Sequence, residues 1–133
     1  MDEPRVLLID VGNTNIKLAA AAADGLLATY VLPTSLQESS DTLGLKVVDV
    51  CRHMGLDPEE IEAWVVSSVV PEYDPLFRLA GEKYSRAPVY LVPGDIGIPL
   101  TNQYANPEEV GADRLVTAYA ARRMFSEPGL IVV

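Results

Sequence analysis

The sequence predicts an α/β domain built on a β-sheet of mixed direction. Three observations predict it. Residues 5–10 (RVLLID) form an apolar run too short for a helix. Two further strand-like runs follow directly, joined by turn residues, which gives a hairpin-led start. Thereafter helical and strand patterns alternate, the signature of a sheet with helical crossovers.

Each element has its own reason. Residues 5–10 are apolar almost throughout and close on Asp10, so they read as a central strand buried on both faces. Gly12, Asn13, Thr14 and Asn15 supply turn chemistry. Residues 16–22 and 26–32 read as two more strands, with Asp24 and Gly25 as the hairpin turn. The alanines at 19–23 favour helix by propensity and compete with that assignment. Residues 41–55 carry apolar side chains at helical spacing, ending on Gly55 as a C′ stop. Asp57-Pro58-Glu59-Glu60 has an N-cap, a proline at N1 and first-turn acids, so it reads as a short helical turn. Strand 63–66, helix 72–84 and strand 89–92 follow. Asn106-Pro107-Glu108-Glu109 repeats the capped-turn pattern before a third helix at 112–125. Residues 130–133 (LIVV) read as a last strand, with no turn or polar tail behind it, as expected of a chain cut inside a larger protein.

Composition bounds the partners. The 133 residues are 49% hydrophobic, enough for a core, and carry a formal net charge of −9. An acidic chain without a basic helix is a poor ligand for nucleic acid or an anionic membrane. Cys51 is the only cysteine, so no intrachain disulfide forms. The N-terminus lacks the basic and apolar regions of a signal peptide, and no apolar run is long enough to span a bilayer. The expectation is a soluble cytoplasmic protein with no nucleic-acid or membrane partner.

Two constellations carry chemistry. The first is Asp10-Val11-Gly12-Asn13-Thr14-Asn15-Ile16-Lys17. A carboxylate at the C-terminal end of a central strand lies where α/β sheets place ligands, and it suits Mg²⁺, which keeps much of its water. Gly12 permits a tight turn, so that successive amides can face phosphate oxygens; Thr14 and Asn15 add donors and Lys17 a charge. The bland alternative is a plain hairpin, and the Gly-x-x-x-x-Gly-Lys spacing of a P-loop is absent. The second is Tyr104 with Asn106-Pro107 and Gly111-Ala112-Asp113-Arg114 at the start of the third helix. The helix dipole alone accounts for Asp113 but not for Arg114, which needs another reason, such as an anionic partner or a carboxylate ligand. Ser67-Ser68-Val69-Val70-Pro71 follows a strand and could line a pocket, although capping of the strand end is the simpler role. His53 and Cys51 point to different sides of their helix and make no shared metal site; His53 reads as a surface residue and Cys51 as core.

Together these residues resemble the type III pantothenate kinases. Residues 10–17 resemble that family's first phosphate motif, residues 67–71 its mid-domain motif, and Asn106-Pro107 with Gly111-Ala112-Asp113-Arg114 its substrate motif, in family order across the chain. The resemblance implies an actin-like ATPase built of ribonuclease-H-like domains. Residues 1–110 would be the first domain, and 111–133 a linking helix and the first strand of a second, truncated one. It implies phosphorylation of pantothenate by ATP, the first step towards coenzyme A, in a homodimer. Asp10 to Lys17 would hold the ATP phosphates, with Asp10 also on Mg²⁺. Tyr104, Gly111, Ala112, Asp113 and Arg114 would hold pantothenate, with Asp113 as general base. In the family a second Asp-x-Gly-Thr motif follows, with further phosphate contacts and a monovalent-cation (K⁺ or NH₄⁺) site. The sequence stops before it, so the chain alone is expected to be inactive. Competing readings are a transcriptional accessory factor resembling the same family, and another actin-like kinase acting on a sugar or acetate. The Gly-Ala-Asp-Arg motif argues against that second alternative.

Overall fold

The computed structural model describes residues 5–127 and 129. The strand expected at 130–133 lies outside the described residues. The elements run β1 (Val6–Val11), β2 (Asn15–Ala22), β3 (Gly25–Pro33), α1 (Ser40–His53), β4 (Ala63–Ser68), α2 (Asp74–Ser85), β5 (Val89–Val92) and α3 (Ala112–Met124). Short 3₁₀ turns occupy Pro58–Glu60, Pro71–Tyr73 and Pro107–Glu109. The five strands form one sheet in the order β3-β2-β1-β4-β5. β1, β2 and β3 pair antiparallel, while β1–β4 and β4–β5 pair parallel. The mixed direction expected from the hairpin-led start is therefore present, and β1 is its central strand.

β1 departs from expectation in its burial. Leu7, Ile9 and Val11 are buried, but Val6, Leu8 and Asp10 are only half-buried. The cause is that the main core lies on one face. Leu7, Ile9, Leu18, Trp64 and Val66 pack there with Leu43, Val47 and Cys51 of α1 and Phe77 and Ala80 of α2. Burying a large apolar side chain such as Phe77 contributes roughly 1.5–3 kcal/mol. The opposite face of β1 is left partly open, and Asp10 is on it. The alanine run stayed in β2 because its alternate members, such as Ala20, face the core; packing overrode helix propensity.

Helix starts are set by local chemistry. Ser39 caps α1, one residue ahead of its first turn, in a capping box with Thr42. His53 is exposed and Cys51 is buried, where burial raises the thiol pKa to about 11. Gly55 sits just beyond the C-cap at φ +76, the left-handed stop expected of it. Asp57 caps its turn by accepting from the Glu59 amide at 3.0 Å. Asn106 does not cap: its side chain instead donates to Glu109 Oε1 at 3.1 Å. The second helix starts with the 3₁₀ turn at Pro71, and α2 proper starts at Asp74.

Candidate active site

Sheet register builds the first half of the site. Asp10 on β1 pairs with Lys17 on β2 and with Ser67 on β4. Neighbours in register share a face, so Lys17, Asp10 and Ser67 form one row across three strands, opposite the core. Lys17 is exposed and makes no ion pair with Asp10 among the described residues. Ser67 is buried, and its Oγ has no hydrogen-bond partner among the described residues. Ser68, on the other face, caps the strand end: its Oγ accepts from the Val70 amide and donates to the Val70 carbonyl, both at 3.0 Å.

The turn after β1 is held tightly. The Gly12 amide donates to the Asn15 carbonyl at 2.9 Å, so it is not free for a ligand, contrary to the expectation that it would face phosphate with its neighbours. The amides of Asn13 and Thr14 have no acceptor among the described residues, and both residues are exposed. Gly12 serves by close approach rather than by a left-handed backbone. A Cβ there would lie 3.2 Å from the Asn15 carbonyl oxygen. Thr34, at the end of β3, closes the turn from outside: its Oγ1 donates to the Gly12 carbonyl and its amide to the Thr14 carbonyl, each at 2.8 Å. Nothing in the sequence around Thr34 signalled this, because its hydroxyl bonds a residue 22 positions away.

The second half is built at the start of α3. Ala112 is buried; Asp113 and Arg114 follow it, exposed, in the first turn. Asp113 Oδ1 accepts from the Arg114 amide at 2.9 Å. Val69 connects the two halves. Its amide donates to the Val11 carbonyl at 3.0 Å, extending β4 beside the end of β1. A Cβ placed on Gly111 would meet Val69 Cγ1 at 3.4 Å. The turn bearing Asp113 thus adjoins the segment that follows β4, beside the C-terminal end of β1, the strand that bears Asp10. Arg114 makes no ion pair among the described residues. Tyr104 stands apart. It is 58% exposed, on a loop organised by Asn102, whose side chain accepts from the Tyr104 amide (3.0 Å) and donates to the Pro107 carbonyl (3.1 Å). A cavity lined by Arg78, Glu82, Arg86, Ala87, Pro88 and Val89 contains none of these residues.

Comparison with known proteins decides the family. The profile of the type III pantothenate kinases matches residues 6–133. The chain belongs to the type III pantothenate kinase family. A type III pantothenate kinase of Oleidesulfovibrio alaskensis is 52% identical over 126 residues, covering 95% of this chain and 48% of that protein. One of Nitratidesulfovibrio vulgaris (strain Miyazaki F) is 50% identical, with the same coverage. The chain thus spans about half the length of the curated relatives it matches. Among solved structures, a Bacteroides thetaiotaomicron protein described as having an actin-like ATPase fold and unknown function aligns with TM-score 0.53 at 9% identity. That alignment covers 71% of this chain and 35% of the other. It supports the fold alone: an actin-like ATPase sheet with flanking helices. In this chain of the family, Gly111 at the start of α3 adjoins Val69, which is bonded to the end of β1, while Tyr104 stands apart.

Proposed function

We propose that this chain supplies the phosphate-binding and pantothenate-binding half of an enzyme that phosphorylates pantothenate with ATP. The observation that carries the reading is the junction at Val69, which brings the Asp10 edge and the Asp113 turn together within a chain of this family. Residues 1–110 would be the first ribonuclease-H-like domain, and 111–133 the link into a second that completes the ATP clamp.

The roles follow from the chemistry of each position. Asn13, Thr14 and Asn15 are exposed on the turn, and the first two have amides free to receive phosphate oxygens. Val11, Gly12 and Ile16 frame the phosphate turn, the Gly12 amide being held by the Asn15 carbonyl, and Lys17 adds positive charge at the row's edge. Asp10 fits a hydrated Mg²⁺, which takes one or two carboxylates together with substrate phosphates; no group of three or more His, Cys, Asp or Glu side chains placed to hold a metal lies among the described residues. Bound there, the ion would supply neutralisation of phosphate charge. Asp113 accepts the proton of the pantothenate hydroxyl as its oxygen bonds the γ-phosphorus and the bond to ADP breaks. Arg114 binds the substrate carboxylate or a phosphoryl oxygen, and Tyr104, Gly111 and Ala112 line the pantothenate site. The K⁺ or NH₄⁺ site would lie in the other half. A cytoplasmic homodimer completes the proposal. Among the described residues no helix is long and apolar enough to cross a membrane.

A coupled ADP-release assay on the family-length protein carrying this chain tests the reading, with pantothenate, sugars and acetate compared. Turnover with pantothenate alone is expected. Turnover with a sugar or acetate instead would replace it with another kinase activity, and none with any acceptor would remove the kinase assignment.

A further inference from the structure

We propose that Thr34 is the positioning residue that holds the turn after β1 in its phosphate-receiving conformation. The inference rests on the phosphate role given to that turn above, and adds to it a residue outside both constellations. Thr34 makes two hydrogen bonds to the turn, one from its side chain and one from its backbone. Oγ1 donates to the Gly12 carbonyl and N–H to the Thr14 carbonyl, each at 2.8 Å.

These two bonds orient amides that Thr34 never touches. In a trans peptide unit, C=O and N–H point in opposite directions from a rigid plane. The Gly12 carbonyl shares its plane with the Asn13 amide, and the Thr14 carbonyl shares its plane with the Asn15 amide. Drawing both carbonyls to Thr34 therefore turns the Asn13 and Asn15 N–H groups away from β3. The Asn13 amide has no acceptor among the described residues, so its direction is available to a ligand.

Thr34 is itself held from the core. The next residue, Ser35, donates its amide to the Tyr73 hydroxyl at 2.9 Å, and that hydroxyl donates to the Ser35 carbonyl. Tyr73 is 3% exposed and packs edge-on against Phe77, with ring centroids 6.0 Å apart. A line of fixed contacts thus runs from the core through Tyr73 and Ser35 to Thr34 and the turn. Preorganised donors of this kind contribute to charge stabilisation without reorganising when the ligand arrives.

The test uses Thr34→Val, Thr34→Ala and Thr34→Ser in the family-length protein, with kcat and the KM for Mg–ATP and for pantothenate measured separately. Valine keeps the shape and removes the donor; serine restores it. The expected result for valine is a KM for Mg–ATP raised about 10-fold, the scale of one lost hydrogen bond. The KM for pantothenate should be nearly unchanged, and serine should return ATP to within about 2-fold of the starting value. Alanine, which leaves no branched methyl to crowd the turn, should match valine and serves if valine does not fold. An unchanged KM for Mg–ATP in both donor-free variants, or serine as impaired as they are, overturns the proposal while leaving the kinase reading intact. Absence of turnover in the unsubstituted protein instead overturns the kinase reading and this proposal with it.

Discussion

Asp113 Oδ1 occupies the space that a side chain on Gly111 would need: a Cβ at residue 111 would lie 2.6 Å from that oxygen. A separation under 3 Å cannot be kept, so any larger residue at 111 forces the carboxylate to move. Gly111 is thereby tied to the proposed base as well as to substrate.

Gly111→Ala in the family-length protein should lower kcat, because a base displaced by about an ångström loses its reach to the reacting hydroxyl. A fall of about 10- to 100-fold is expected. The decisive comparison is the double variant with Asp113→Asn. If Gly111 acts by placing Asp113, Gly111→Ala adds little to the loss already caused by Asp113→Asn, whereas independent roles give additive losses. Full additivity would detach Gly111 from the base.

Asp10→Asn should weaken Mg²⁺-dependent binding of ATP by roughly 10-fold or more while leaving the fold unchanged, since Asp10 is half-buried and outside the main core. Titration calorimetry of ATP with and without Mg²⁺ reads this directly. Equal Mg–ATP affinity in the two proteins would remove Asp10 from the site.

These residues were legible in the sequence to unequal degrees. The strands, their hairpin start and the three helices are visible because apolar periodicity and turn residues act locally. The open face of β1 was not visible. Val6, Leu8 and Asp10 read like any residues of a buried strand, and only the placement of α1 and α2 on one side of the sheet distinguishes their face. The pairing of Asp10 with both Lys17 and Ser67 likewise depends on register, including a parallel partner more than fifty residues away. Thr34 and Asn102 escaped notice because a single threonine after a strand, or an asparagine in a loop, has no pattern. Their bonds to the Gly12 and Pro107 carbonyls exist only in the folded chain.

Asp74, in the first turn of α2, gives a prediction about pH. Burial pushes its carboxyl above the usual aspartate value; Glu72 adds to the rise, and Ser68 and Arg78 oppose it. Its Oδ1 is buried without a partner among the described residues. A carboxyl with a raised folded pKa binds more protons folded than unfolded between the two values. Stability therefore falls as pH rises from the unfolded pKa, about 3.9, through the folded one, and the cost is fully present above it. Asp74→Asn removes this titration. Its Tm at pH 7 should exceed the parent's, by no more than about 4 °C, with the gain shrinking as pH falls through that window. A gain that does not vary with pH, or a loss at pH 7, would contradict the assignment.

The most direct test of the account is kcat for pantothenate phosphorylation by Asp113→Asn in the family-length protein, with Tm measured on the same sample. A primary alcohol is scarcely ionised at neutral pH, so its proton must leave as the phosphorus–oxygen bond forms, and loss of a positioned base typically costs 10²- to 10⁴-fold. The predicted result is a fall in kcat of about that size with the KM for ATP nearly unchanged. An acid that merely complements the helix dipole would instead contribute roughly 0.3–1 kcal/mol to stability and nothing to turnover. A normal kcat with a lowered Tm would contradict the account.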